Sequence, residues 1–173
     1  KEAGVAIGST IQYNSGCRRN LNLAGPIRKI LLRLVLEDAV VREEYAYRFY
    51  ESALERVSER EARKLLQKLC AEELRHRMKL ERMQSEAATE EIEFSGSAEI
   101  ELLEAEQSWP EVPDSASRRE ILEVALVKEK QAVRFYRFIA GRSVLKLVKD
   151  LFLFLTDEES RHVRWVEKML GQP

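Results

Sequence analysis

Apolar residues recur at intervals of three and four through most of this chain, the period of one helix face rather than of a strand. From Ile27 the pattern runs through Ile30, Leu31, Leu34, Ala39, Val40, Ala46, Tyr47, Tyr50, Leu54 and Val57. It predicts one long helix with Pro26 in its first turn. Ser58, with Glu61 three residues on, has the spacing of a capping box. A second helix is therefore expected through Leu65, Leu66, Leu69, Cys70, His76, Leu80 and Met83. The period fails over 86–114, where Thr89, Ser95-Gly96-Ser97, Pro110 and Pro113 interrupt it, with room for a short helix over Ala98–Gln107. It returns through Ile121, Leu122, Ala125, Leu126, Ala132, Val133, Tyr136 and Ile139. Asp114, Ser115 or Ser117 can start this third helix, and Gly141 is its expected stop. Ser143 is the expected cap of a fourth, through Leu147, Leu151, Leu155, His162, Val166 and Met169. Residues 1–25 hold no sustained period and read as an irregular N-terminal arm. The expectation is an all-α four-helix bundle over 26–173, with hairpins 26–85 and 115–170 joined by a long crossover, 86–114.

Composition agrees with that reading. Charged residues make up 34% and apolar ones 45%, with 7 Gly and 4 Pro, a balance that suits amphipathic helices and supplies little turn chemistry for an all-β fold. A length of 173 residues is enough for one domain with its own core. The net charge of −1, with Lys and Arg dispersed among Glu at helical spacing, gives no general affinity for nucleic acid or anionic membrane. Leu151-Phe152-Leu153-Phe154-Leu155 is too short to cross a bilayer and is soon followed by Asp157, Glu158 and Glu159. No stretch reads as a secretory signal, so a cytoplasmic location is expected. Cys17 and Cys70 stand apart, and without a Cys-x-x-Cys pair neither a rubredoxin-like iron centre nor a redox dithiol is encoded. Cys70 falls on an apolar helical face, where a buried thiol is the ordinary outcome.

The candidate chemistry lies in a repeat. The two His residues end the same word, Glu72-Glu73-Leu74-Arg75-His76 and Glu158-Glu159-Ser160-Arg161-His162. At the same offset stand Glu43-x-x-Ala46-x-Arg48-Phe49-Tyr50 and Glu129-x-x-Ala132-x-Arg134-Phe135-Tyr136. Glu and His at i and i+3 project from one helix face. Bundle di-metal sites use two such Glu-x-x-His units, with one Glu from each of the other two helices. Glu43 and Glu73 are equidistant from Ser58, and Glu129 and Glu159 from Val144, at the proposed turns. Each pair should then face across its hairpin at one height, about 22 Å from the turn at ~1.5 Å per residue. In this scheme Glu73 and Glu159 bridge two ions, while Glu43 with His76 and Glu129 with His162 are terminal.

Four carboxylates balance two divalent ions, and mixed carboxylate and imidazole ligation suits iron or manganese, or a mixed pair, better than zinc. Tyr50 and Tyr136, two turns beyond the helical Glu ligands, are expected to point into the bundle and hydrogen-bond a ligand carboxylate; electron or proton donation is the less favoured role. Arg75 and Arg161 are expected to face outward towards surface Glu, and Phe49 and Phe135 to lie in the core.

These words resemble those of the rubrerythrin-like members of the ferritin-like di-iron superfamily, over about residues 27–170. The resemblance implies a ferritin-like bundle and a non-haem di-iron centre on Glu43, Glu73, His76, Glu129, Glu159 and His162. It also implies reduction of peroxide or oxygen, or oxidation of ferrous iron, often by a homodimer. Two departures stand out. Full rubrerythrins append a four-Cys rubredoxin-like domain, so here electrons are expected from a separate donor protein. They also carry a further Glu three residues after the third-helix ligand, where this chain has Ala132. The leading expectation is an oxidoreductase acting on peroxide or oxygen. The alternatives are a ferroxidase or iron-handling protein, and a non-catalytic helical module that metal stabilises.

Overall fold

A computed structural model describes residues 25–87, 112–113, 115–143 and 145–171. Four helices account for almost all of them: α1 (Gly25–Arg56), α2 (Arg60–Ala87), α3 (Arg118–Arg142) and α4 (Lys146–Leu170). The arm before Gly25, the expected helix over Ala98–Gln107, Asp114 and Val144 lie outside the described residues, as does Cys17. Cys70 is a half-buried free thiol.

Helix α1 packs chiefly on α2, and α3 on α4, as two antiparallel hairpins. The hairpins run in opposite senses, which the two core clusters make plain. One cluster joins Leu32, Val35, Leu36 and Ala39 at the start of α1 to Leu80 and Met83, then to Ile139 and Phe152 around the α3–α4 turn. The other joins Ala53 and Val57 at the end of α1 to Ala62, Leu66, Leu69, Ile121, Leu122 and Val166. Between these apolar ends lies a buried polar layer, sealed from both directions.

The termini of the helices are set by different residues from some of those expected. Ser117 is the N-cap of α3: its Oγ accepts from Glu120 N, and the Glu120 carboxylate accepts from Ser117 N, the reciprocal bonds of a capping box. The Ser58–Glu61 box does not form at α2. That helix begins at Arg60, its first turn closed by Arg63 N to Glu59 O at 2.9 Å, and Glu61 turns to Lys64 Nζ at 2.8 Å. The turn is tied instead by Arg63, whose Nη1 donates to Leu54 O and to Val57 O, the latter at 2.8 Å. One guanidinium thereby satisfies carbonyls that the end of α1 would leave unpaired. Gly141 does not stop α3, which runs on to Arg142. Ser143 is its C-cap rather than the cap of α4, and its Oγ donates to Ile139 O at 2.8 Å. Leu145 precedes α4 with no side-chain cap bond.

Two expected core positions also face out. Leu34 is 51% exposed and Leu147 56% exposed, while Leu32, Val35, Leu36 and Val148 are buried in their stead. Both errors arise in nearly continuous apolar runs, Ile30-Leu31-Leu32-Arg33-Leu34-Val35-Leu36 and Val144-Leu145-Lys146-Leu147-Val148. There the helical period alone does not choose a face.

Candidate metal centre

Each helix delivers its polar residues to the central layer through one inward stripe. Glu43 and Tyr50 lie on α1, Glu73 and His76 on α2, Glu129 and Tyr136 on α3, and Glu159 and His162 on α4. All eight side chains are buried, Glu159 and His162 among them at 1% and 0% exposure. Their atoms form two sets of four within 4.8 Å of one another: Glu43, Glu73, His76 and Glu159, and Glu73, Glu129, Glu159 and His162. Glu73 and Glu159 are common to both sets. Every residue that the sequence nominated thus reaches the same layer.

The imidazoles turn their Nδ1 atoms inwards. His76 Nδ1 stands 3.5 Å from Glu43 Oε2, 3.6 Å from Glu73 Oε2 and 3.0 Å from Glu159 Oε1. His162 Nδ1 stands 3.2 Å from Glu73 Oε1, 3.3 Å from Glu129 Oε2 and 3.2 Å from Glu159 Oε2. Donors about 2.1 Å from one octahedral ion sit about 3 Å apart along each edge, so this spacing fits a cation between them. Five inward atoms make no hydrogen bond: Glu43 Oε2, Glu73 Oε1, Glu159 Oε1 and both Nδ1 atoms. Buried polar atoms without partners are costly, and here all converge on one small volume. The donor set and its spacing fit two divalent ions.

Electrostatics give the same picture. Burial, with the Glu73 charge next, pushes the Glu43 carboxyl up to about 8. Burial and then Glu129 push Glu159 up to about 7. Burial also works to raise Glu129, but the His162 contact outweighs it and holds that carboxyl below its usual range. For His76, burial opposes the charged ring, yet Glu159, Glu43 and Glu73 prevail and carry it up to about 12. His162 moves in the same direction, against burial, through Glu129, Glu159 and Glu73. The layer thus holds its excess negative charge only with the help of protons, which cations would displace.

The two tyrosines tie the hairpins together. Tyr50 of α1 donates to Glu129 Oε1 of α3, and Tyr136 of α3 donates to Glu43 Oε1 of α1. Burial and the charge of its partner Glu raise each phenol well above its ordinary value, so both remain donors at neutral pH. Each tyrosine leaves the other oxygen of its carboxylate facing inwards.

Sequence reasoning missed the residue before each Glu-x-x-His unit. Glu72 is buried, and its Oε2 lies 3.0 Å from His162 Nε2, on the far side of the ring from the carboxylates. Burial works to raise the Glu72 carboxyl, and His162 and Arg161 more than offset it. An acceptor there fixes the ring's orientation and the tautomer that leaves Nδ1 inward. Arg161 bridges Glu72 at 3.0 Å and Glu158, so it does not simply face outward; Arg75 does. The equivalent His76 Nε2–Glu158 Oε2 separation is 3.9 Å, too long for a hydrogen bond. The signal was present, because Glu72 and Glu158 repeat in register with the histidines. Phe135 is buried as expected, and Phe49 only partly so.

A bundle of two antiparallel hairpins around a buried two-fold layer of four Glu and two His defines the ferritin-like class of carboxylate proteins. Within that class the chain belongs to the rubrerythrin family, whose model matches residues 26–84 and 120–173. It is similar in structure to a hypothetical protein from Pyrococcus furiosus, with TM-score 0.64 and 20% identity over 80% of this chain and 87% of that one. It is also similar to a two-domain protein from Anabaena variabilis containing DJ-1/ThiJ/PfpI-like and ferritin-like domains, with TM-score 0.65 and 14% identity over 82% of this chain. The chain spans 39% of that second protein. No curated protein matches it. Among the described residues, no helix is long and apolar enough to cross a membrane.

Proposed function

We propose that the chain is a non-haem di-iron oxidoreductase that reduces hydrogen peroxide or oxygen. The observation that carries this reading is the sharing of Glu73 and Glu159 between two four-residue donor sets. Those two carboxylates would bridge the ions, with Glu43 and His76 terminal on one and Glu129 and His162 terminal on the other. An iron pair held by these residues would supply the electrons for reducing the oxidant; manganese or a mixed pair would fit the same donors. Tyr50 and Tyr136 hold Glu129 and Glu43 each by one oxygen and keep the second free. Glu72 holds His162 from behind. The apolar ends of the bundle exclude bulk water and strengthen every charge interaction in the layer.

The reading includes a separate electron-donor protein, a homodimeric assembly and a cytoplasmic setting. Ala132, where rubrerythrins carry a further carboxylate, favours a second reading in which ferrous iron is the substrate of a ferroxidase. Anaerobic loading with ferrous iron, metal analysis and stopped-flow spectra on adding peroxide or oxygen test both. Two irons per chain, rapid oxidation and repeated turnover with an added reductant support the oxidoreductase. Oxidation followed by loss of iron from the protein favours the ferroxidase. Failure to take up metal overturns both.

A further inference from the structure

The two-fold repeat breaks between α2 and α4, at the edge of the polar layer. His76 and His162 stack there at 5.5 Å between ring centroids, and Trp165 stacks on His162 at 5.4 Å. Three rings in contact thus lead from a half-buried indole to both imidazoles of the donor sets. In the register of the repeat Trp165 corresponds to Lys79, so no second indole closes the other end. Phe154 meets His76 only edge-on, at 6.4 Å.

Trp165 also lines an open groove of about 240 Å³ with Leu65, Lys68, Lys168 and Met169. Both lysines are exposed, and Lys68 Nζ stands 3.5 Å from the indole centroid. No carboxylate lines the groove. The acids near it in sequence are committed to other cations: Glu61 to Lys64, Glu72 and Glu158 to Arg161, and Glu167 to Lys130. Neither Lys68 nor Lys168 forms an ion pair among the described residues. An apolar centre with a positive rim suits a transient partner of opposite charge, and electron-transfer encounters are among the smallest protein interfaces. We propose that this groove docks an acidic one-electron carrier protein, with Trp165 and His162 the route from the carrier to the metal layer. This deepens the oxidoreductase reading and rests on it. In each encounter the reduced carrier loses one electron and one ferric ion becomes ferrous. No bond is made or broken, and two encounters restore a diferrous pair.

The probe is a small acidic ferredoxin with a two-iron, two-sulfur cluster. Docking is read by calorimetry with the oxidised ferredoxin and the protein as purified, so that no electron moves. Lys68→Glu combined with Lys168→Glu should weaken docking about tenfold or more at low ionic strength, and the difference should close near about 0.5 M salt. Stopped-flow reduction of the iron-loaded, oxidised protein by reduced ferredoxin then reads the route, with iron content and reduction potential measured in every sample. Trp165→Leu should lower the rate reached at saturating ferredoxin, and Trp165→Phe, which keeps a ring against His162, should recover most of it. A rate that falls only as far as a shifted potential accounts for overturns the route. Absence of docking to wild type, equal affinity in the charge-reversed variant, or an unchanged saturating rate in Trp165→Leu with full iron overturns the port alone. If Trp165→Leu fails to hold iron, the charge-reversed variant decides. Wild-type protein that takes up no iron overturns the function as well.

Discussion

Glu73 and Glu159 differ from the other carboxylates in belonging to both donor sets, and that difference predicts an unequal response to mutation. Glu73→Ala or Glu159→Ala should lose both metals, whereas Glu43→Ala or His76→Ala should weaken one position preferentially. Metal content after desalting separates these outcomes, and full occupancy in either bridging variant would refute the assignment. Tyr50→Phe leaves Glu129 Oε1 buried without its donor. A cost of roughly 1–3 kcal/mol is expected in urea unfolding of the metal-free protein, with both metal positions retained. The protons bound in the layer set the pH dependence. Glu43, raised by burial from 4.5 to about 8, binds more protons folded than unfolded between those values. His76, carried up to about 12 by Glu159, Glu43 and Glu73 against burial, does so above 6.5. Each contribution is complete below the unfolded pKa and is lost as pH rises through the folded one. The metal-free bundle should therefore lose stability from about pH 5 to 8, while metal affinity rises over the same range and loading releases protons. Urea midpoints with and without metal at each pH check this, and parallel curves for the two forms would refute it.

At the level of the helices, the caps fixed by local chemistry were the legible ones. Ser117 was one of three candidate starts for α3, and the structure selects it through a box with Glu120, three residues on. Ser117→Ala is expected to cost about 1 kcal/mol, seen as a lower urea midpoint with unchanged slope. The Ser58–Glu61 spacing was equally good and did not form. There, Arg63 reaches from α2 to the carbonyls of Leu54 in α1 and Val57 just beyond it, a contact that requires the hairpin to be closed already. The misplaced faces at Leu34 and Leu147 have a related origin. Apolar residues follow one another closely in sequence at both places, and the neighbour across the bundle selects which are buried.

For the whole molecule, the polar layer divides the core into two apolar ends, and metal is expected to couple them. Removal by chelator should lower the melting temperature, because a ligand that binds only the folded chain at 100 times its Kd contributes about 2.7 kcal/mol. An unchanged melting curve would show that the bundle stands without it. Leu155→Ala, at a fully buried position in one cluster, should cost about 2–5 kcal/mol in either form.

The sequence by itself determined the four helices and which four Glu and two His meet in one buried layer. Each of these depends on separations along one helix or on distances from a turn, which a fixed rise per residue converts directly into positions. Only the tertiary structure decided that Glu72 backs His162 and that each tyrosine reaches the opposite hairpin. Those relations join residues about 80 to 90 apart in the chain. They depend on the rotation of each helix about its axis, which packing across the bundle sets and helical spacing leaves open.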